Sequence, residues 1–252
     1  MEEKKYYGKE FYNLLQNGSY ISAKKVLPVV QNLFHPSSVL DLGCGVGYWI
    51  KVWKDELNVE DVLGIEGSYV TEDMFFLKKK YLQNEDLKLP LQLNRKYDLV
   101  MSLEVAEHIE EKHADTFIQN LVNAGDIILF SAAIIGQIGT YHVNEQMPEY
   151  WAKKFAKHDF VVVDFIRPLI WNDNEIDYWY RQNILLFIKN DKLKEYPQLK
   201  FAAEATKPDY LTRIHPEKYF AYVDEANSLQ TLPGFIRHYL YKIKKQVKKK
   251  LR

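Results

Sequence analysis

The chain has 252 residues, of which 47% are hydrophobic and 27% are charged, a composition that excludes a disordered chain and favours a globular protein. Its formal net charge is zero, but the residues from Ala226 onward include eight Lys or Arg and no Asp or Glu, so the first 225 residues carry a net charge of −8. Because an acidic body repels polyanions, we expect no nucleic-acid partner.

The compartment is indicated by the cysteine content and by the N-terminal sequence. Cys44 is the only cysteine, so no disulfide can form within the chain, as is usual in a reducing compartment. Residues 1–12 show neither the apolar run nor the cleavage pattern of a signal peptide. No stretch approaches the roughly 18 apolar residues of a membrane-spanning helix. These features predict a cytoplasmic protein.

The first predicted element is a helical N-terminal cap over residues 1–37. Ser22 is placed to be the N-cap residue of a helix over Ala23–Phe34, whose apolar side chains fall on one face. Pro28 would then stand in the first turns of this helix or bend it.

From residue 38 to residue 190, short apolar strands alternate with amphipathic helices. The predicted strands are Val39–Leu42, Val62–Ile65, Tyr81–Gln83, Tyr97–Leu103, Ile127–Ser131, Phe160–Ile166 and Asn183–Lys189. The predicted helices are Tyr48–Glu56, Thr71–Lys80, Ala114–Val122 and Pro148–Lys157. Such alternation predicts an α/β fold, in which a mostly parallel sheet is covered by helices on both faces. Ligands of such sheets bind at the carboxyl ends of the strands.

Residues 191–252 are predicted to form a helical appendage, with helices over Pro216–Asn227 and Gly234–Arg252. Apolar residues recur every four positions in the second helix, at Phe235, Tyr239, Ile243, Val247 and Leu251, and lysines stand opposite. A basic amphipathic helix of this kind can lie on an anionic membrane surface. The alternative is that its apolar face packs on protein and its lysines are simply solvated.

A glycine-rich turn follows the first strand, in the sequence Val39-Leu-Asp-Leu-Gly-Cys-Gly-Val-Gly47. Asp41 stands in the strand, and the glycines at 43, 45 and 47 allow a backbone to approach a ligand closely. The spacing is G-x-G-x-G, whereas dinucleotide-binding folds have G-x-G-x-x-G. The turn therefore argues against a nucleotide-dependent dehydrogenase.

The second strand ends in Gly64-Ile-Glu66-Gly67-Ser. An acidic residue about 20 positions after a glycine turn accepts hydrogen bonds from ribose hydroxyls in nucleotide-binding folds. The alternative for Glu66 is a solvated loop carboxylate, but its pairing with the glycine turn favours ribose binding.

These two motifs, with Tyr97-Asp-Leu-Val-Met-Ser-Leu-Glu-Val-Ala-Glu-His108, resemble those of class I S-adenosylmethionine-dependent methyltransferases over residues 38–189. The resemblance implies a Rossmann-like seven-stranded sheet with its last strand antiparallel, and S-adenosylmethionine as the cofactor. It also implies that the cofactor is bound by Asp41, Gly43, Gly45, Gly47, Glu66, Gly67, Asp86, Leu87, Ser102 and Glu104. Among these, Asp86 and Leu87 match the adenine position, and Ser102 and Glu104 the floor beside the methyl group.

A narrower resemblance lies in His142-Val-Asn-Glu-Gln146, followed by Tyr150-Trp151 and later by Trp179-Tyr-Arg-Gln-Asn183. These segments look like small methyltransferases of bacterial polysaccharide and glycan biosynthesis, which are similar to sugar O-methyltransferases. The implied substrate is a sugar or nucleotide-linked sugar used for capsule or lipopolysaccharide.

Other functions stay open. They are methylation of another small metabolite, a phosphate-type glycan modification and a methyltransferase-like protein that binds without catalysis.

A hydroxyl acceptor gains from a general base. His142 is the first candidate, because imidazole accepts a proton near neutral pH; Glu145 would orient it or act instead, and His108 is the reserve. Candidate substrate contacts, from segments expected at the same sheet edge, are Asn144, Arg167, Trp171, Tyr180 and Gln182. No residue spacing demands a metal, so we expect none, and the sequence leaves the oligomeric state open.

Overall fold

The computed structural model describes residues 9–231 and 234–250. The chain divides into two compact units, of which the first extends to Thr212 and the second begins at Arg213. The segment boundaries after residues 37 and 190 stay predictions.

The first unit contains a seven-stranded sheet. Its strands are β1 (Ser38–Leu42), β2 (Asp61–Glu66), β3 (Leu82–Asn84), β4 (Leu99–Leu103), β5 (Ile127–Ser131), β6 (Phe160–Val163) and β7 (Leu185–Lys189). They lie in the order β3-β2-β1-β4-β5-β7-β6. All neighbours are parallel except β7, which runs antiparallel to both β5 and β6. The predicted Rossmann-like sheet with an antiparallel last strand is therefore confirmed.

Helices follow most strands of the sheet and cover it. In chain order, the helices of the described residues are α1 (Lys9–Phe34), α2 (Tyr48–Asp55), α3 (Ala114–Ala124), α4 (Pro148–Ala156), α5 (Ile166–Ile170), α6 (Tyr178–Asn183), α7 (Asn190–Leu193) and α8 (Lys200–Ala205) in the first unit, and α9 (Pro216–Thr231) and α10 (Gly234–Lys250) in the second. Short 3-10 turns cover Lys79–Tyr81, Ala106–His108, Glu111–His113 and Pro197–Leu199.

Two apolar cores lie on opposite faces of the sheet, because successive side chains of a strand point to opposite sides. In β1, Val39 packs in the core that contains α1, α2 and α5, whereas Leu40 packs in the core that contains α3 and α4. Large side chains fill both: Trp53 is fully buried on the first face and Phe155 on the second. The sheet is therefore covered by apolar packing on both faces.

The N-terminal helix is longer than predicted. It begins at Lys9 and passes through Pro28, so Ser22 is an interior residue and not an N-cap. The hydroxyl of Ser22 is buried and accepts a hydrogen bond from the backbone N–H of Asp177 at 3.0 Å. A serine that bonds a distant segment is indistinguishable, by sequence alone, from one that caps a helix.

One other predicted element is wrong, and another begins later than predicted. Residues 71–80 form turns rather than a helix, because Phe75 packs against Gly47 and Phe76 stacks on the ring of Tyr48. The predicted strand beginning at Asn183 starts instead at Leu185, and the residues just before it form α6.

The second unit contains α9 and α10. Within it, Lys244 pairs with Glu225, and Tyr239 and Ile243 of the predicted apolar stripe are 65% and 40% exposed. The side chains of Phe235 and Val247, and the whole of Leu251, lie outside the described residues. In the described part of the chain, no helix has the length and apolarity that crossing a bilayer requires.

Candidate active site

A cavity of about 650 Å³ opens at the carboxyl ends of the parallel strands. Its walls come from the segments at the ends of β1, β2, β3, β4 and β5, namely residues 43–46, 66–69, 84–88, 103–105, 107–109 and 137–142. Ser19 of α1, residues 48–49 of α2 and residues 178–180 of α6 complete the wall. This is the edge at which the sequence predicted ligand binding.

The glycine turn after β1 requires glycine at two positions for steric reasons. Gly43 has φ +87°, and a Cβ there would lie 2.4 Å from a methyl group of Val105. Gly47 has φ +91°, and a Cβ there would lie 2.5 Å from the ring of Phe75. Gly43 and Gly45 line the cavity, whereas Gly47 is not among the lining residues. The turn thus presents bare backbone to the cavity, which suits the close approach of a ligand.

Glu66 ends β2 and is buried, with only 4% of its surface exposed. Its carboxylate accepts hydrogen bonds from the backbone N–H groups of Gly45 and Gly67, each at 2.8 Å, and from the hydroxyl of Tyr69. Glu66 and Gly67 both line the cavity. A carboxylate held in this way is preorganised to accept hydrogen bonds from a ligand.

Asp41 lies behind the glycine turn, not in the cavity wall. Burial, together with the nearby carboxylate of Glu66, raises the pKa of Asp41 to about 8. The predicted role of Asp41, which was to place the cofactor through the loop, stays a prediction.

The predicted adenine contacts follow β3. Asp86 and Leu87 both line the cavity, and Leu87 is buried while Asp86 is exposed. Asn84 holds this wall to the end of β2, since its side-chain amide donates hydrogen bonds to the carbonyl groups of Gly67 and Val70, each at 3.2 Å.

Glu104 follows β4 and lies at the centre of a polar network. Its backbone is left-handed, with φ 56°, and its carboxylate accepts hydrogen bonds from Gln137 at 2.8 Å and from Asn183 at 3.1 Å. Burial raises the pKa of Glu104 against the effect of these bonds. Ser102, by contrast, is not a lining residue: its hydroxyl donates to the carbonyl of Leu42 at 2.8 Å and ties β4 to β1.

His142 stands on the loop after β5 and is held by Glu145. One carboxylate oxygen of Glu145 lies 2.8 Å from Nδ1 of His142, and the carboxylate also accepts the N–H groups of Gly136 and Ile138 at 2.8 and 2.7 Å. Burial works to raise the pKa of Glu145, but these hydrogen bonds outweigh it and lower the pKa. Since an ionised carboxylate only accepts, Nδ1 carries the proton and Nε2 carries the lone pair.

Glu107 and His108 lie beside His142. Oε1 of Glu107 is 4.0 Å from Nε2 of His142, and Oε2 of Glu107 is buried with no hydrogen-bond partner. The rings of His108 and His142 meet edge to face, with centroids 4.9 Å apart. Burial raises the pKa of Glu107 well above its usual range; burial and the neighbouring His142 lower the pKa of His108 to about 4.

Of the predicted substrate residues, Tyr180 lines the cavity and the others do not. Tyr180 lines the cavity, and burial raises its pKa to about 12. Arg167, Trp171 and Gln182 are not lining residues. The guanidinium of Arg167 is fully buried and is bound by Asp164, at 2.7 and 2.8 Å, and by two backbone carbonyls; its substrate role stays a prediction.

The other two residues are also engaged by protein groups. The side-chain amide of Gln182 donates to Gln137 at 3.4 Å and to Asn183 at 3.0 Å, and the carbonyl of Trp171 accepts from Arg181 at 3.4 Å. Gln182 is therefore connected to the cavity wall through Gln137 and Asn183, which both bind Glu104.

Asn144 and Glu145 form hydrogen bonds with residues of the cavity wall. The backbone N–H groups of Val143 and Asn144 both donate to the carbonyl of Glu107 at 2.9 Å, which joins the loop after β5 to the segment after β4. Neither Asn144 nor Glu145 is a lining residue, whereas His108 and His142 both are.

The lining residues that were not predicted from the sequence include Glu107, Gln137 and Ser19. The one available signal was the pairing of an acid with an imidazole in Glu107-His108, directly after a strand. No sequence pattern pointed to Gln137, because its hydrogen bond to Glu104 joins two residues that are distant in the sequence.

A family model described as a methyltransferase domain matches residues 14–158, which is more than half of the chain. The chain belongs to the methyltransferase domain family. A search of curated protein sequences found no match to this methyltransferase.

Solved methyltransferase structures share its fold. The plantazolicin methyltransferase BpumL, solved with a pentazolic desmethylPZN analog and SAH (S-adenosylhomocysteine), is 17% identical with a TM-score of 0.54, over 75% of this chain and 91% of that one. The methyltransferase domain of bacterial CtHen1-CN is 18% identical with a TM-score of 0.50, over 66% and 97%. Magnesium protoporphyrin IX methyltransferase (ChlM) from Synechocystis PCC 6803, with bound SAH, is 18% identical with a TM-score of 0.48, over 68% and 84%.

The methyltransferase is therefore an enzyme that uses S-adenosylmethionine, whose sulfonium supplies the methyl group. The site fits this cofactor: the glycine turn leaves bare backbone where a Cβ would intrude, and a buried carboxylate stands at the end of β2.

Proposed function

We propose that this methyltransferase transfers the methyl group to a hydroxyl oxygen of a sugar or sugar-derived precursor of a surface polysaccharide, such as capsule or lipopolysaccharide. The observation that carries the proposal is the placement of Glu66 and His142 in the wall of one cavity. A carboxylate suited to ribose and an imidazole suited to a hydroxyl thus face the same space.

The cofactor end is proposed to lie on the glycine turn and Glu66. The ribose hydroxyls would donate to the carboxylate of Glu66, with adenine against Leu87 and Asp86. The backbone of Gly43 and Gly45 would then border the methionine part.

The acceptor end is proposed to lie between His142 and the network around Glu104. An alcohol is a weak nucleophile, so its oxygen must lose a proton as the O–C bond forms. Nε2 of His142 has a lone pair for that proton, because Glu145 holds the proton of the ring on Nδ1. The hydrogen bonds from Gln137 and Asn183 keep the Glu104 carboxylate in place to orient the acceptor.

Aromatic side chains support a ring-shaped polar acceptor. Tyr48, Trp49, Tyr178 and Trp179 line the cavity, and Trp and Tyr combine an apolar ring with a polar atom. Such rings pack well against the apolar face of a sugar and leave its hydroxyls free for hydrogen bonds.

The acceptor is tested by a screen of nucleotide-linked sugars with S-adenosylmethionine labelled in the methyl carbon. We expect the label on a sugar oxygen of at least one compound. Labelling of a phosphate oxygen or of an unrelated metabolite would show that this compound, and not a sugar hydroxyl, is the acceptor. Binding of SAH without transfer to any compound would favour a protein that binds without catalysis.

We further propose a cytoplasmic enzyme that can contact the inner face of the membrane through α10. The exposed Tyr239 and the adjacent lysines support this location, and each lysine near an anionic surface contributes about 1 kcal/mol of attraction. Co-sedimentation with anionic vesicles at low salt checks it, with neutral vesicles as the control. Equal sedimentation after deletion of residues 234–252 would contradict it.

A further inference from the structure

Glu107, His108 and His142 form a cluster at the acceptor end, and this cluster includes the imidazole described above as the base. One ligand-type atom from each of these side chains lies within 4.8 Å of the other two. All three line the cavity. Two imidazoles and one carboxylate are a donor set that binds divalent transition-metal ions.

Both imidazoles are held in the tautomer that leaves Nε2 as the metal-binding atom. Nδ1 of His108 lies 3.2 Å from the carbonyl of Tyr141, and a carbonyl only accepts, so Nδ1 carries the proton. Nδ1 of His142 is fixed in the same way by Glu145. Each Nε2 therefore has a lone pair, and a carboxylate or carbonyl behind a histidine is the usual support of a metal ligand.

Glu107 supplies an observation that is independent of the histidines. Its side chain is 1% exposed, and its Oε2 has no hydrogen-bond partner. Leaving a buried carboxylate oxygen unpaired is costly, unless the site takes up a cation.

Residue 139 is a glycine that approaches the ring of His142 closely, so a side chain at this position would fill the space beside Nε2. A Cβ at Gly139 would lie 2.1 Å from that nitrogen. Neighbouring ligand atoms around a bound ion are about 3 Å apart, and Oε1 of Glu107 lies 4.0 Å from Nε2 of His142. Since the three ligand atoms lie within 4.8 Å of one another, side-chain movements of about 1–2 Å would close them on an ion.

We propose that Glu107, His108 and His142 bind one divalent transition-metal ion, of the Mn²⁺, Co²⁺ or Zn²⁺ type, which coordinates two neighbouring hydroxyl oxygens of the acceptor. The inference rests on the proposed function and replaces the sequence-based expectation that no metal is involved. An ion with these ligands keeps coordination positions open, and a vicinal diol can fill two of them. The acceptor class is therefore narrowed to sugars with adjacent hydroxyls.

The ion also replaces His142 as the group that activates the acceptor. Coordination lowers the pKa of a hydroxyl, so the bound hydroxyl gives its proton to a water molecule. The oxygen then forms a bond to the methyl carbon as the bond from that carbon to sulfur breaks. The electron pair of the broken bond stays on sulfur, which becomes the thioether of SAH.

The binding test uses the full chain without cofactor, titrated with Mn²⁺ and followed by calorimetry and by the electron paramagnetic resonance signal of the ion. We expect one site per chain in the wild type. Glu107→Gln and His108→Ala should each weaken binding by at least about tenfold, and Glu145→Gln, which frees the ring of His142, by about 10–100-fold.

The matched control is His113→Ala. His113 also stands near a glutamate, with Nε2 3.9 Å from Glu110, but it does not line the cavity, so its loss should leave Mn²⁺ binding unchanged. Retained SAH binding shows that each variant is folded. Absence of Mn²⁺ binding by the wild type, or equal binding by Glu107→Gln and His108→Ala, would overturn the inference.

A further measurement separates the inference from the proposed function. Transfer to a sugar hydroxyl at full rate in the presence of a chelator, by a protein that binds no Mn²⁺, would refute the metal site and leave O-methylation standing. Binding of Mn²⁺ at these residues, with transfer only to nitrogen or sulfur, would refute O-methylation and leave the metal site standing.

Discussion

Glu145 fixes the imidazole of His142 through a 2.8 Å hydrogen bond to Nδ1, and the carboxylate is itself held by two backbone N–H groups of the same loop. This loop is bent tightly, since Ile138 and Tyr141 both have left-handed backbones, with φ 59° and 57°. Non-glycine residues in that region are strained and are often found at functional sites. The arrangement directs Nε2 of His142 toward the acceptor end of the cavity.

His142→Ala is expected to lower turnover by about 10²–10⁴-fold, the usual contribution of a group that takes part in proton transfer. Affinity for SAH should stay near that of the wild type, because the proposed cofactor contacts are Glu66 and the glycine turn, which follow other strands than His142 does. Turnover is measured with labelled cofactor, and affinity by calorimetry. His113→Ala is the control, and turnover of His142→Ala within a few-fold of the wild type would eliminate His142.

Gly43→Val is expected to abolish SAH binding. The substitution places a branched side chain at φ +87°, within 2.4 Å of Val105, so the turn must change shape. Calorimetry with SAH checks the result, and circular dichroism shows whether the sheet remains folded. A folded variant with wild-type affinity would show that this turn does not bind the cofactor.

Asp41 makes stability depend on pH. In the unfolded chain its pKa is near 3.8, and in the folded protein burial raises it to about 8, so folding takes up a proton between these values. The free energy of unfolding should therefore fall as pH rises from about 4 to about 8. Asp41→Asn should flatten this decline and raise the Tm at pH 8 above that of the wild type.

The exposed Asp209 provides the control for that experiment. Asp209→Asn should keep the decline of Tm with pH that the wild type shows. Parallel Tm curves for Asp41→Asn and the wild type between pH 5 and pH 8 would show that Asp41 is ionised in the folded protein.

Glu66→Ala is expected to weaken cofactor binding by about 1–3 kcal/mol, the cost of losing hydrogen bonds to a charged group. The wild type should discriminate against a deoxyribose analogue of SAH, and the variant should not. Glu72→Ala is the control, since Glu72 is an exposed carboxylate that pairs with Lys79 and does not line the cavity. A variant that still discriminates would remove Glu66 as the ribose ligand.

The sheet was predictable because each of its buried strands is a short apolar run between turn residues. The turns at residues 71–80 were not, since Phe75 and Phe76 pack on partners distant in the sequence rather than along a helix. A helical period and a series of tertiary contacts produce similar patterns of apolar residues.

The placement of Gly43, Gly45 and Glu66 in the wall of one cavity was also predictable, because these residues lie at characteristic positions after two strands. The acceptor end was only partly so. His142 and Glu145 are neighbours in sequence, whereas the approach of Glu107 to His142 depends on two loops that follow different strands. The buried ion pair of Arg167 with Asp164 was not predictable, because it has the same sequence signature as a substrate-binding arginine.

The most direct test is a crystal structure of the methyltransferase with SAH. We expect the ribose hydroxyls to donate to the carboxylate of Glu66 and the sulfur atom to point along the cavity toward Glu104 and His142. SAH bound with its ribose away from Glu66, or with its sulfur directed away from His142, would contradict the claim that one cavity joins the cofactor to the acceptor end.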